Sequence, residues 1–192
     1  MKVLSGVEDR YNRIKTLQID FTETYTAPGR ARQAESGTLM LQKPGKMRWN
    51  YSEPAGKQFV SDGKHFYLYS PAANRVQKTP VRESDDMRAP LAFLLGRLNF
   101  EKDFRKFEAR PEGKDAWIRA TPERDDLAYS AVEFIVAPDN RIKSVKVLGQ
   151  DRSVIEFHFS NEKVNPSLAA SVFKFTAPKG SEIMEVAEAV DQ

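Results

Sequence analysis

The groups able to do acid–base, nucleophilic or metal chemistry are scattered along this chain. Its two histidines, His65 and His158, fall in different predicted strands at no metal-ligand spacing, and they read as ordinary strand residues. Ser61-Asp62-Gly63 has the composition of a turn, not of a nucleophile elbow, and no phosphate-cradling glycine loop is present. Cysteine is absent, which excludes disulfides, thiolate catalysis, Cys-ligated metals and lipidation at a cysteine. The expectation is a protein that is not an enzyme, with no cofactor and no metal. What the sequence offers instead is apolar surface in short runs, with one lysine, Lys43, set directly before the turn Pro44-Gly45.

The runs that must position these groups are strands. Between Gly37 and Pro71, apolar segments alternate with Pro44-Gly45, Pro54-Ala55-Gly56 and Asp62-Gly63. Pro-Gly suits a type II turn and Asp-Gly a two-residue hairpin. Leu39, Leu41, Met47, Trp49 and Tyr51 share one parity; Met40, Val60, Tyr67 and Tyr69 alternate against Phe59, Phe66 and Leu68. Both faces are therefore apolar, as expected for a curved sheet covered on one side by helices or a ligand. Upstream, Leu4, Val7, Tyr11 and Ile14 predict a helix over Val3–Lys15. Leu17, Ile19, Phe21 and Tyr25 alternate with Gln18, Asp20, Thr22 and Thr24 in a half-buried strand.

Downstream, a weaker strand surrounds Val76. Ser84-Asp85-Asp86 supplies helix-capping side chains, and Pro90–Leu98 predicts a short apolar helix with Leu91, Leu94, Leu95 and Leu98 on one face. Further strands are expected at Phe104–Arg110, Ala116–Thr121, Ala128–Ala137, Arg141–Leu148 and Ser153–Ser160, with a hairpin turn at Pro138-Asp139-Asn140 and a final strand holding Phe173 and Phe175. No repeat or linker divides the chain, so residues 1–192 are read as one domain. Sequential hairpins form a meander that closes or nearly closes.

With 192 residues, 40% apolar and 30% charged, the composition is that of a globular domain with a substantial core. The net charge of +3 is spread among interleaved Lys/Arg and Asp/Glu, so nucleic acid is not an expected partner. No apolar run approaches bilayer length. The opening MKVLSGVEDRYNR lacks the apolar core of a signal peptide, which fits either a cytoplasmic protein or a mature chain with an added Met.

One stretch carries a family pattern: Gly37, Leu39, Leu41, Lys43, Pro44, Gly45, Lys46, Arg48, Trp49 and Tyr51, then Pro54, then Val60, Ser61, Asp62, Gly63, Lys64 and Tyr69. It resembles the periplasmic outer-membrane lipoprotein carrier family, LolA. The first helix, the strand from Leu17 to Glu23, the Pro90–Leu98 segment, and the close Phe173-Lys174-Phe175 with Pro178 and Gly180 are similar to that family as well.

The resemblance implies a mainly β fold with some α: a strongly curved antiparallel sheet, or unclosed β-barrel, with short helices as a lid over an apolar cavity. It implies a periplasmic chaperone, expected as a monomer. Its partners would be acylated lipoprotein cargo, an inner-membrane lipoprotein exporter and an outer-membrane lipoprotein acceptor. Combined with strand alternation, it assigns the lipid cavity to Leu17, Ile19, Phe21, Leu39, Met47, Trp49, Leu91, Leu94 and Leu95, and the lid gate to Lys43, bonded to carbonyls at the end of the Pro90–Leu98 helix. Two positions depart from the best-known members. Lys43 stands where they carry Arg, and an ammonium lacks the planar guanidinium fork. Met47 stands where an aromatic residue is expected, and its thioether still suits a changeable apolar pocket. The alternatives are a periplasmic glycolipid- or phospholipid-binding or sensor domain of the same fold, and an enzyme that has taken over the cavity. Clustered titratable groups inside the barrel would favour the enzyme.

Overall fold

In the computed structural model, which describes residues 2–81, 91 and 98–186, one helix precedes a single sheet of twelve strands. Helix α1 spans Lys2–Arg13. Its buried Leu4, Val7 and Tyr11 recur at helical spacing, and Arg10 and Arg13 sit in the last turn, where the helix dipole favours cations. The strands are β1 (Thr16–Thr26), β2 (Gln33–Gln42), β3 (Lys46–Glu53), β4 (Gln58–Asp62), β5 (His65–Ser70) and β6 (Arg75–Pro80). After the one-turn helix α2 (Phe100–Asp103) come β7 (Phe104–Glu112), β8 (Asp115–Pro122), β9 (Tyr129–Val136), β10 (Ile142–Gly149), β11 (Val154–Val164) and β12 (Glu182–Glu185).

The order across the sheet is β12-β6-β5-β4-β3-β2-β1-β11-β10-β9-β8-β7. Two hairpin meanders are joined where β1 pairs with β11, and every pairing is antiparallel except β12 with β6. The end strands β12 and β7 do not meet, so the sheet is curved and unclosed. Register shifts fall in β1 at Gln18/Asp20, in β2 at Ser36/Gly37 and in β10 at Ile142/Ser144, and such bulges bend and twist the strands that carry them.

The concave face holds the core. Leu17, Ile19 and Phe21 of β1, Leu39 and Leu41 of β2, Met47, Trp49 and Tyr51 of β3, Phe59 of β4 and Phe157 of β11 form one cluster with Leu4, Val7 and Tyr11 of α1. Helix α1 therefore covers this face, as the expected half-barrel requires. The predicted helix over Val3–Lys15 is one turn-fraction shorter at its C-terminus, and the six middle and late strands fall where the alternation put them.

The apolar character of both faces has a structural reason that the alternation alone did not supply. Val60, fully buried, pairs with Arg48 on one side and Tyr67 on the other, so these three share the convex face. That face is crossed by the chain's own C-terminal segment. Arg48 Nη1 donates to the Val172 carbonyl at 3.1 Å, and Phe175 stacks on Tyr67 with centroids 4.9 Å apart. The expected final strand at Phe173 and Phe175 is corrected here: Ala170–Phe173 is a 3-10 turn, and its Phe173 is buried. The alternating Phe residues pack onto the sheet from outside instead of extending it.

Two further points concern turns and edges. The Lys43–Pro44 and Glu53–Pro54 peptide bonds are cis, and Gly45, at φ 72°, has the positive φ that the third position of a type II turn requires. β12 had no signature, because it is short, charged and exposed. It is held by Arg75–Glu182 and Lys78–Glu185 ion pairs and by Asn74 Nδ2 donating to the Gly180 carbonyl. The expected capping segment at Ser84-Asp85-Asp86 and the middle of the Pro90–Leu98 helix lie outside the described residues.

Candidate functional site: an apolar concave face under a latched helix

The strand pairings define two ends of the half-barrel. β1 starts beside the end of β2 and the end of β11, with Leu17 opposite both Leu41 and Val164. The β2–β3 turn, the β9–β10 turn and the start of β1 thus lie at one end. Helix α1 sits across this end. Its Gly6 packs so closely on the β9–β10 turn that a Cβ there would lie 2.5 Å from Asn140 Oδ1.

The last turns of α1 are tied down by polar bonds from three directions. Lys43, in the β2–β3 turn, donates from Nζ to the Tyr11 carbonyl at 2.5 Å. Carbonyls in a helix's last turn lack intrahelical partners, and the dipole makes them good acceptors for a cation. The Tyr11 hydroxyl accepts from the Ile142 backbone N–H at 3.0 Å and donates to Glu162 Oε2 at 3.1 Å. Arg10 pairs with the other oxygen of Glu162. Burial, and then the Glu162 carboxylate, push the Tyr11 hydroxyl above the ordinary tyrosine range. Burial draws the Lys43 ammonium below the usual lysine value. On the third side, Asn12 exchanges two hydrogen bonds with the backbone of Leu98, at 2.9 and 2.6 Å, and Glu8 Oε1 accepts from the Phe100 N–H at 2.6 Å.

Of the nine residues assigned to the cavity, Leu17, Ile19, Phe21, Leu39, Met47, Trp49 and Leu91 are buried in the one cluster on the concave face. Leu94 and Leu95 lie outside the described residues. Trp49, with no exposed surface, is the centre. Its ring meets Phe21 at 4.7 Å and Phe157 at 5.3 Å, and its indole N–H reaches the Met47 thioether at 3.1 Å. Met47 thus gives the buried indole an acceptor that an aromatic residue at that position would lack. Lys43 is tied to α1 at Tyr11; the Pro90–Leu98 helix, whose end carbonyls were its expected partners, lies apart from Leu91 and Leu98 outside the described residues.

The concave face carries one acid that the alternation had passed over. Glu23 continues the inward series Leu17, Ile19, Phe21 and is only 4% exposed. It accepts a hydrogen bond from the Tyr51 hydroxyl at 3.1 Å. Six residues beyond Leu17, it stands about 20 Å from the latched end at ~3.3 Å per strand residue. Periodicity could have found it, since position 23 has the parity of 17, 19 and 21. The Tyr11–Glu162–Ile142 contacts join residues far apart in sequence and have no local signal. Among the described residues, no group of three or more His, Cys, Asp or Glu is placed to hold a metal ion. No described helix is long and apolar enough to cross a membrane.

The fold and site define a half-barrel whose apolar concave face is covered by a helix tied along its rim. Comparison with known proteins gives this class a family. Residues 12–176 match the model of the outer membrane lipoprotein carrier protein LolA. The outer-membrane lipoprotein carrier protein of Bordetella avium is 30% identical over 193 aligned positions, covering 97% of this chain and 90% of that one. That of Dechloromonas aromatica is 28% identical, covering 93% and 85%. The chain belongs to the outer-membrane lipoprotein carrier family, LolA. In solved structures the same fold recurs in a LolA superfamily protein of Nitrosomonas europaea (TM-score 0.51, 11% identity, 91% of this chain and 96% of that one). It recurs again in an uncharacterized conserved protein of Thermus thermophilus (TM-score 0.56, 13% identity, 96% and 98%).

Proposed function

We propose that this protein is a periplasmic chaperone that carries acylated lipoproteins from the inner to the outer membrane, holding their acyl chains against the concave face. It takes cargo from an inner-membrane exporter and yields it to an outer-membrane acceptor, without catalysing a reaction. The observation that carries the reading is the single apolar cluster shared by the sheet's concave face and the underside of α1. Each acyl CH2 moved from water into such a surface gains about 0.8 kcal/mol, so a long chain needs a large apolar host. When α1 swings away, it exposes Leu17, Ile19, Phe21 and Trp49 together, and the lipid replaces the helix's own Leu4, Val7 and Tyr11. Opening costs the Lys43, Tyr11 and Asn12 bonds, and closing restores them. The exchange is therefore near balance and can run in either direction according to the partner.

The test is extraction. A fluorescent peptide bearing an S-diacylglyceryl cysteine is placed in vesicles and incubated with the protein. A soluble one-to-one complex, with transfer to fresh vesicles carrying an acceptor, is the expected result. Extraction of phospholipid with no uptake of the acylated peptide would instead assign the face to free lipid.

A further inference from the structure

We propose that the latched end of the half-barrel is a docking surface for an anionic phospholipid membrane, gripped by a row of cations along the rim. The surface is independent of what the concave face holds.

Basic and acidic residues interleave in the sequence, and the fold sorts them. Lys163 lies near the end of β11, opposite Gln18 of β1. Lys15 precedes β1; its N–H donates to Asn165 Oδ1 at 2.8 Å and its carbonyl accepts from the Lys43 N–H at 2.9 Å. Lys46 begins β3, and Lys64 sits in the β4–β5 turn, its N–H on Asp62 Oδ1 at 2.8 Å. Arg13 ends α1 above them. Neighbouring strands lie about 4.8 Å apart, so the row from β11 to the β4–β5 turn is about 20 Å long. Arg13, Lys15, Lys64 and Lys163 are exposed and Lys46 is half-buried. Among the described residues, none of them forms an ion pair.

The acids beside the row are engaged elsewhere. Glu162 pairs with Arg10 and Asp139 with Arg141. Asp62, the cross-strand partner of Lys46, accepts from the backbone of its own turn, and Asp20 accepts from Thr38 and Asn161. Asp9, exposed on α1, is left to offset the row, so positive charge is in surplus. The opposite end of the half-barrel is balanced. Arg105–Asp125, Arg124–Asp126 and Lys57–Glu35 are paired there, and Arg30, Arg32 and Arg152 stand against Glu53, Glu123 and Asp151.

Long ammonium side chains, each on a separate segment of a rim, suit a surface of spread negative charge. Two neighbouring features favour lipid over an acidic protein. Val164, beside Lys163, is an apolar side chain 46% exposed. Between Val164 and Arg13 runs an open groove of about 460 Å³, with Arg10, Asn140 and Asn165 as donors and Asp9 at its wall, which offers a phosphate head a place beside Arg13. The row shares its rim with the Lys43 tie, so docking sets the end of the covering helix against the headgroups.

The experiment is co-sedimentation of the full-length protein with vesicles of phosphatidylcholine alone or mixed equally with phosphatidylglycerol, read as protein in the pellet. The expected result is binding to the anionic vesicles only. Raising salt from about 0.01 M to about 1 M, which cuts the screening length from about 30 Å to about 3 Å, should abolish it. A cation near an anionic surface contributes about fivefold in affinity, so the double variant Lys15→Gln/Lys163→Gln should bind about twentyfold more weakly. Arg30→Gln/Arg152→Gln removes the same charge from the opposite end and should bind like the parent. Both pairs are exposed, and circular dichroism checks that the variants are folded. Equal pelleting with neutral vesicles, or equal weakening by the two double variants, overturns the docking surface. Capture of the protein by poly-glutamate without binding to anionic vesicles also overturns it, and assigns the row to an acidic protein. None of these results touches the carrier reading, which the extraction of acylated peptide decides.

Discussion

The ammonium of Lys43 holds the carbonyl of Tyr11, so the β2–β3 turn is bonded to the last turn of the helix that covers the concave face. Lys43 also anchors its own strand end, because its backbone N–H donates to the Lys15 carbonyl at 2.9 Å. The residue before Pro44 is thereby tied to both ends of the segment linking α1 to β1. In the carrier role proposed above, its side-chain bond would contribute to the covered state alone, and breaking it would shift the balance toward the open, lipid-holding state.

Lys43→Leu removes a hydrogen bond from a charged donor, about 1.5–3 kcal/mol when well formed, less where water competes. We expect global thermal stability to fall little, and transfer of a labelled acylated peptide from the protein to acceptor vesicles to slow by up to about tenfold, since the closed state that expels cargo is the one weakened. Lys43→Arg should transfer like the parent. Parental transfer by Lys43→Leu would reduce Lys43 to a turn-flanking charge.

Tyr11→Phe probes the neighbouring bonds. It leaves the buried Ile142 N–H without its acceptor and deprives Glu162 of one donor, while the Arg10 pair and the Tyr11 carbonyl remain. An orphaned buried donor costs about 1–3 kcal/mol. Urea unfolding should show that loss as a lower midpoint with an unchanged slope. An unchanged midpoint would mean that water replaces the hydroxyl and that the latch rests on Lys43 and Asn12.

How much of this was legible in the sequence depended on the range of the interaction. Hairpins were readable because Asp62-Gly63 and Pro138-Asp139-Asn140 mark their own turns, and because Leu17, Ile19 and Phe21 alternate within one strand. The inward position of Glu23 was equally local, yet an acid in an apolar series reads as solvent-facing until its Tyr51 partner, 28 positions away, is seen. Phe173 and Phe175 had the spacing of a strand. Their partners, the convex faces of β3 to β5, are fixed only by tertiary folding, and that packing overrode the local pattern. The latch itself joins positions 10 and 11 to 142 and 162, and no spacing rule reaches so far.

The pH dependence of the β4–β5 hairpin follows from Asp62. Its partial burial alone would raise its pKa, but backbone N–H donors at His65 and Lys64, at 2.9 and 2.8 Å, outweigh this and hold it below the ordinary aspartate value. A depressed folded-state pKa gives stability that is fully present above the unfolded value and is lost as pH falls through the folded one. Asp62→Ala should therefore destabilise near pH 7 by roughly 1 kcal/mol, the scale of a lost turn-capping bond. The difference from the parent should shrink below about pH 3.9, the unfolded value for aspartate. A difference that stays constant from pH 7 to pH 2.5 would show that the carboxylate's charge is not what the turn uses.

Gly37→Ala tests the close approach that brings Phe21 and Tyr51 together. A Cβ at position 37 would lie 2.0 Å from the Asn50 carbonyl oxygen, a backbone atom that cannot move without opening the β2–β3 pairing. We expect a loss of at least about 2 kcal/mol by chemical denaturation, the scale of overpacking in a tight core. Parental stability would mean that β2 shifts to relieve the contact, and the ring geometry around Tyr51 would then have to change with it.

The central claim is that acyl chains occupy the concave face in place of α1. The direct measurement is photo-crosslinking with a diacylated peptide whose acyl chains carry a diazirine near their ends, followed by mapping of the adducts by mass spectrometry. The account predicts adducts on Ile19, Phe21, Leu39, Met47 and Trp49, with protection of the convex-face residues Val60 and Tyr67. Adducts confined to the convex face or to the exposed edge at Ile183 and Met184, with none on Met47 or Trp49, would contradict it.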